Sequence, residues 1–262
     1  LKIGLSTWSL LGLDVVSAVR RIGDAGFDYI ELWGDLPHAY PGWVDAVRLK
    51  DVLSSYKMTV TMHAPFADLN PANPIQPVKG AVEKALEAFV DFSSSLGASV
   101  VTVHPGSVHN ESMVSGSMES SLSTIHGMMK AAAGRLSISV ENQANGDSKY
   151  HYPLATTPES VRTYLDSAEG LRFTLDTGHA HASGQDPTLF AEKTGSRLVE
   201  VHLSDNSGSA DDHLVPGEGS ADLQKLLGML KGREVLVCLE INPHRYSPTE
   251  VLRASASFKT HV

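Results

Sequence analysis

The sequence holds a single cysteine, Cys238, among 262 residues. An intrachain disulfide is therefore excluded. The position of this thiol inside the apolar run VLVCL at 235–239 marks it as buried and structural, which suits a reducing cytoplasm. No apolar run is long enough to span a bilayer. The first residues lack the basic, apolar and small-residue series of a signal peptide, so a cytoplasmic protein without membrane contact is expected. Basic residues are few: 21 Lys and Arg against 30 Asp and Glu give a formal net charge of −9. This weighs against nucleic-acid binding by the whole surface and leaves room only for a local basic rim. Low-complexity tails, fixed-period repeats and evident linkers are also lacking. No dinucleotide fingerprint is found, because Gly4 and Gly12 are too far apart for one.

What is present is alternation. Hydrophobic residues make up 42% and charged residues 19%, enough for a sizeable core. Runs rich in Val, Ile, Leu and Thr fall near 2–7, 28–33, 58–63, 98–104, 136–141, 171–176, 198–203 and 235–241. Helical spacing fills the gaps, as at 14–26, 78–97, 157–168 and 221–232. Pro158 and Glu159 suit a helix start, and Gly26, Gly97 and Gly232 stand where C-terminal caps belong. The pattern predicts an α/β fold, a (β/α)8 TIM barrel forming a single domain over 1–262. An open doubly wound sheet is the alternative. The loop 64–77 carries four prolines and reads either as a substrate-covering lid or as a stiff surface connector. The polar, glycine-rich loop 204–220 is expected to be partly mobile.

In such a barrel the active site lies at the C-terminal ends of the strands. The strand-like runs end at or near Glu31, His63, His104, Glu141, Asp176, His202 and Glu240. Each is a side chain that can bind a metal. One such residue at a strand end is usually structural; seven on one rim point to a metal site. The stretch LRFTLDTGHAHASG at 171–184 sets His179 three residues after Asp176. Further on, Asp211 and His213 form a D-x-H pair whose side chains share a face of an extended segment. With His179 they make a three-ligand set that leaves an open position, as a catalytic zinc requires. Deeper in the barrel, Arg172 and Glu200 are expected to pair, so that Arg172→Leu would lower stability by a few kcal/mol.

These pieces carry a resemblance. HAPF at 63–66, VHPGS at 103–107, VENQA at 140–144, LDTGHAHASG at 175–184, VHLSDN at 201–206, DDHLVPGEG at 211–219 and LEINP at 239–243 resemble the family of endonuclease IV and the xylose-isomerase-like sugar isomerases and epimerases. The endonuclease resemblance implies nine ligands. His63 and His104 would hold a first zinc, with Glu141 bridging to a second. Asp176, His202 and Glu240 would complete the second, and His179, Asp211 and His213 would hold a third. The sugar branch implies one divalent ion on residues like Glu141, Asp176, His202 and Glu240. The stretches GLSTWS at 4–9 and YIELWGD at 29–35 look more like the sugar branch. The loop 34–43 lacks the arginine that enters DNA in endonuclease IV, and Phe66-Ala67 keeps only the aromatic of its second inserted pair.

Two enzyme readings follow, and the nine matching ligands put the hydrolase first. In it, two or three Zn²⁺ ions generate a hydroxide that cleaves damaged DNA at abasic sites, with Phe66 or Trp43 as wedges. In the alternative, a single Mn²⁺, Mg²⁺ or Co²⁺ supports isomerisation or epimerisation of a small sugar or sugar phosphate through an enediolate. Glu141 and Glu240 would then be the catalytic base and acid. Trp8, Glu31, Trp33 and Phe66 would contact substrate, and Lys149, Arg245 and His181 are candidate phosphate or hydroxyl contacts. A metal-binding protein without catalysis is the third possibility. No protein partner is inferred, and His38, His109, His126, His151, His244 and His261 receive no role.

Overall fold

A computed structural model describes residues 1–145 and 151–261. Eight parallel strands close a barrel. They are β1 (Lys2–Ser6), β2 (Tyr29–Trp33), β3 (Thr59–His63), β4 (Val100–Val103), β5 (Ser137–Glu141), β6 (Arg172–Asp176), β7 (Leu198–Leu203) and β8 (Leu236–Leu239). The strand order is sequential and β8 pairs with β1, so no edge is left open. Around it lie α1 (Val15–Asp24), α2 (Ala46–Ser54), α3 (Gln76–Ser95), α4 (Val114–Ala132), α5 (Pro158–Ser167), α6 (Thr177–Ala182), α7 (Pro187–Thr194), α8 (Leu223–Leu230) and α9 (Pro248–Lys259). Side-chain N-caps start many of these helices, with Asp14, Asp45, Asp186 and Asp222 each accepting a hydrogen bond from the first turn. Each such cap is worth about 1 kcal/mol.

The period-two alternation of the strands sorts side chains between two environments. Val101 and Val103 of β4, Ile138 and Val140 of β5, and Phe173 and Leu175 of β6 are buried in the apolar layer beneath the helices. Their alternates face the lumen and are mostly hydroxylic. Thr102 Oγ1 and Thr174 Oγ1, two strands apart, meet across it at 2.8 Å, and Ser139 Oγ lies 2.7 Å from Thr174 Oγ1. Runs such as VVTV and SISV thus supply an apolar outer face and a polar lumen.

Glu200 sits at the centre of that lumen, fully buried. Its oxygens accept hydrogen bonds from Tyr29, from Thr61 at 2.9 Å and from Thr102 at 3.0 Å. Burial, reinforced by the charge of Glu31, raises its pKa against the pull of His202. The expected Arg172–Glu200 pair does not form. The register of β6 and β7 slips by one residue, so that Phe173 is level with Leu198 and Thr174 with Glu200. Arg172 lies two residues below Thr174 on the strand and is half-buried, while hydroxyl groups satisfy the carboxyl.

Candidate active site

The C-terminal rim gathers the residues that the strand ends placed there. Glu141, the last residue of β5, is buried and accepts from three imidazoles. His63 Nε2 and His104 Nε2 lie 3.1 and 3.2 Å from its Oε2, and His202 Nδ1 lies 3.1 Å from its Oε1. Glu240, one residue beyond β8, approaches the same His202 Nδ1 at 3.6 Å. Asp176 ends β6 and caps α6. Its Oδ1 accepts the backbone N–H of His179 at 2.6 Å, while its Oδ2 is buried without a hydrogen-bond partner. A second cluster stands beside this one. Asp211 Oδ2 lies 3.2 Å from His179 Nε2 and 3.0 Å from His213 Nε2, and Asp211 Oδ1 is also buried and unpartnered.

Both clusters fit a divalent cation. Asp176, His202 and Glu240 offer ligand atoms within 4.8 Å of one another, as do His63, Glu141 and His202, and as do His179, Asp211 and His213. The two orphaned carboxylate oxygens are buried acceptors that a cation would satisfy. Mixed carboxylate and imidazole donors suit zinc, manganese, magnesium or cobalt alike.

Electrostatics drive the two central carboxyls apart. Burial opposes ionisation of Glu141, but the charges and hydrogen bonds of His202 and His104 outweigh it and hold its pKa well below the usual carboxylate range. Burial pushes Glu240 up to about 8, with His202 opposing and Glu31 adding to the rise. The imidazoles respond in kind. Burial would lower His63 and His213, but the hydrogen bond and charge of Glu141 raise His63 to about 9, and the charge of Asp211 raises His213 to about 9. His104 goes down, because burial prevails there.

Several groups that hold this geometry were missed in the sequence. Asn142 is buried and ties β5 to β6: its Nδ2 donates to Asp176 O at 2.9 Å and its Oδ1 accepts Asp176 N–H at 2.8 Å. Its carbonyl also lies 2.8 Å from His179 Nδ1. Asp205 pins the loop expected to be mobile. Its carboxylate accepts the backbone N–H of Asn206 at 2.9 Å, Gly217 at 2.9 Å, Gly219 at 3.0 Å and Ala221 at 3.1 Å. A bridge between Asp205 and Leu214 closes the base of that loop. Within it His213 adopts φ 47°, a left-handed conformation uncommon for a side-chain-bearing residue and frequent at functional sites. A Cβ at Gly178 would stand 2.5 Å from Ser204 Oγ and 2.8 Å from Asp211 Oδ1, so only glycine lets α6 approach the second cluster this closely. The local signal available beforehand was a polar residue close after a ligand, as with Asn142 in VENQA and Asp205 in VHLSDN.

Of the expected substrate contacts, Trp8, Trp33 and Phe66 wall a cavity of about 200 Å³ whose floor includes Glu141 and Glu240. Phe66 stacks on His104 with ring centroids 4.6 Å apart, and Trp8 lies 4.7 Å from the His213 ring. Asp35 positions the Phe66 turn by accepting from Phe66 N at 3.1 Å and Ala67 N at 3.2 Å. Glu31 is placed elsewhere. It lies two residues short of the end of β2, level with Thr61, whereas Trp33 is level with His63. It is fully buried beneath the cavity, with Oε2 3.0 Å from His202 Nε2 but not aligned for a hydrogen bond. It therefore backs a metal-capable imidazole and does not line the cavity. Trp43 is 62% exposed and lines neither this cavity nor its neighbour. His181 Nε2 is engaged with Ser220 Oγ at 2.9 Å, Arg245 lies over the Tyr246 ring, and Lys149 falls outside the described residues. Among the described residues, no helix is long and apolar enough to cross a membrane.

Comparison with known proteins places this geometry. The family model described as a xylose isomerase-like TIM barrel matches residues 19–260. An uncharacterized protein of Methanocaldococcus jannaschii is 29% identical over 239 residues, covering 88% of this chain and 80% of that protein. Fructoselysine 3-epimerase of Shigella flexneri is 21% identical over 238 residues, covering 87% and 84% respectively. The crystal structure of a D-tagatose 3-epimerase-like protein superposes with a TM-score of 0.86 at 26% identity, covering 100% of this chain and 97% of the other. These relatives favour the isomerase or epimerase alternative over the abasic-site endonuclease that the nine-ligand pattern put first.

Proposed function

The chain belongs to the xylose isomerase-like TIM-barrel family, and from this we propose that it is a divalent-metal-dependent epimerase acting at carbon 3 of a ketose. The observation that carries the proposal is the pair Glu141 and Glu240. Both carboxyls reach the floor of one aromatic-walled cavity, from strands three places apart around the barrel. Two carboxyls facing one cavity can serve as base and acid for one bound substrate.

Glu141, Asp176, His202 and Glu240 would hold the ion. When bound, it supplies Lewis-acid polarisation of a ketose carbonyl, acidifying the neighbouring carbon. The side chains do the rest. Glu141, kept ionised, takes the proton from carbon 3, and the electron pair shifts toward the carbonyl oxygen. Glu240, taking up a proton from water, returns it to the other face of carbon 3. Glu141 ends protonated and Glu240 ionised, and loss of the Glu141 proton to water restores the pair. His63 and His104 grip one oxygen of Glu141 and leave the other directed toward His202. Trp8, Trp33 and Phe66 exclude water and face the apolar side of the sugar, and Glu31 steadies His202 from behind.

The cluster of His179, Asp211 and His213 is the observation that favours the second reading, phosphodiester hydrolysis at abasic sites with two or three Zn²⁺ ions. One experiment separates the two. Protein loaded with Mn²⁺, Mg²⁺, Co²⁺ or Zn²⁺ is incubated with a panel of ketohexoses and, separately, with duplex DNA carrying one abasic-site analogue. Epimer formation without incision is expected. Metal-dependent incision without epimer formation would reverse the assignment.

A further inference from the structure

Glu141 and Glu240 are joined by an unbroken path of covalent and polar contacts that runs through the outer cluster, with an asparagine near each end. Asn142 directly follows Glu141. The main-chain ladder between β5 and β6 ends with Glu141 level with Thr174. Beyond it the Asn142 carboxamide takes the place of a strand: Nδ2 donates to Asp176 O at 2.9 Å, and Oδ1 accepts Asp176 N–H at 2.8 Å. The Asn142 main-chain carbonyl is thereby free to accept from His179 Nδ1 at 2.8 Å. That bond orients the ring and sets His179 Nε2 3.2 Å from Asp211 Oδ2.

Asn242 stands two residues after Glu240 and plays the matching part on the other side. Its main-chain N–H donates to His213 O at 2.9 Å, and its Nδ2 donates to Asp212 O at 3.2 Å. These carbonyls flank the His213 α-carbon, so one residue holds both peptides of the left-handed kink at φ 47°. Asn242 Oδ1 accepts His244 N–H at 2.9 Å, which fixes the carboxamide itself. His213 Nδ1 donates to Glu240 O at 3.3 Å, and its Nε2 lies 3.0 Å from Asp211 Oδ2. Asp211 therefore closes the path between the two asparagine-held histidines. His179, Asp211 and His213 line the same cavity as Glu141 and Glu240, so a sugar over the two carboxyls also meets the outer cluster.

We propose that Asn142 and Asn242 are positioning residues that decide which carbon of the ketose reacts. This rests on the epimerase reading. A ketose has acidic C–H bonds on both sides of its carbonyl, at carbon 1 and at carbon 3. A sugar displaced by one hydroxyl along the cavity offers carbon 1 to Glu141 in place of carbon 3. The outer cluster grips the far part of the sugar, and the two asparagines keep that grip in register with the carboxyls. A misplacement of about 1 Å in such a grip changes a rate by roughly 10²-fold. Loss of a proton from either carbon moves the electron pair toward the carbonyl oxygen, and return of a deuteron from D₂O labels the carbon that reacted.

The test incubates the metal-loaded protein with a panel of ketohexoses in D₂O and reads deuterium at carbon 1 and carbon 3 by NMR. The ratio of the two labels does not depend on how much of a variant is folded. Wild-type protein should label carbon 3 almost alone. Asn142→Ala and Asn242→Ala should each lower the ratio of carbon-3 to carbon-1 label by about tenfold. If the buried Asn142→Ala fails to fold, the half-buried Asn242→Ala decides. Arg197→Ala serves as the control for plain destabilisation. It removes hydrogen bonds to Ala168 O and Leu171 O at the opposite end of the barrel, and should lower the melting temperature at an unchanged ratio. A second readout needs neither ion nor sugar: amide hydrogen exchange over 211–214 should quicken in Asn242→Ala. An unchanged ratio in a folded asparagine variant, the same shift in Arg197→Ala, or wild-type protection over 211–214 would overturn the proposal and leave the epimerase reading standing. Metal-loaded wild-type protein that labels neither carbon of any ketose would sink the epimerase reading, and the proposal with it.

Discussion

The inner cluster of Glu141, Asp176, His202 and Glu240 and the outer cluster of His179, Asp211 and His213 are built from the same side-chain chemistry on different supports. The inner four stand within one residue of the ends of β5, β6, β7 and β8, and all are buried. Their positions follow from barrel register, which the closed hydrogen-bonded sheet fixes. The outer three stand on the short helix α6 and on a loop pinned by Asp205, with His213 held in a left-handed conformation. Sheet register cannot easily be changed without moving the whole barrel, whereas a loop can. The inner cluster is thus the part that different chemistries on this fold can share, and the outer cluster is where a chain specialises. Nine ligand-type residues in place therefore say less about the reaction than the cavity around them does.

That contrast can be broken at several points. The largest effect is expected from Asp176→Ala. It removes the orphaned Oδ2 and the cap of α6 together, so the ion and all activity should be lost, as read by metal analysis of the purified protein alongside epimer formation. Retention of one tightly held ion would place the primary site elsewhere. Next, His213→Ala should retain the inner ion and raise KM about tenfold, equivalent to about 1.4 kcal/mol, with a smaller change in kcat. A collapse of kcat at unchanged KM would make the outer cluster part of the reacting machinery.

A milder effect concerns pH. In the metal-free protein His63 and His213 have folded pKa values of about 9, above the unfolded value near 6.5. The stability they contribute is fully present below pH 6.5 and is lost as pH rises through 9. Glu240 is also raised, to about 8 from 4.5, and acts in the same direction because the folded state holds a proton that the unfolded state releases. The melting temperature of the metal-free protein should therefore fall between pH 6.5 and 9. The metal-loaded protein should show a shallower fall, since the ion replaces those protons. Parallel slopes in the two forms would contradict this. The smallest effect is Arg172→Leu, now expected to change stability by no more than about 0.5 kcal/mol in a denaturant titration, because no buried pair is lost.

Much of this was readable in advance. The eight strands fall where apolar runs alternate with helical spacing, and residues from His63 to Glu240 stand at strand ends because the period of two and the strand boundaries are local properties. What was not readable depends on register between strands. Glu31 counted as a rim residue, yet its depth on β2 puts it behind His202. Glu200 looked like a partner for Arg172, yet Thr174 is the β6 residue level with it, and hydroxyl groups of Tyr29, Thr61 and Thr102 on other strands satisfy the carboxyl. His151 received no role, yet it lines the cavity next to the active site. The preference for the hydrolase came from counting ligands. The aromatic wall of Trp8, Trp33 and Phe66 was already legible as a sugar contact, and the structure brings the three together over Glu141 and Glu240.

The most direct test of the two-carboxylate reaction is solvent-deuterium incorporation by Glu240→Gln, followed by NMR on a ketose that the wild-type protein epimerises. Glutamine can still face the ion but cannot return a proton. Epimer formation should fall by about 10²–10⁴-fold, while Glu141 continues to exchange the carbon-3 proton of the starting sugar with deuterium. Epimer formation at the wild-type rate would contradict the assignment of Glu240 as the acid.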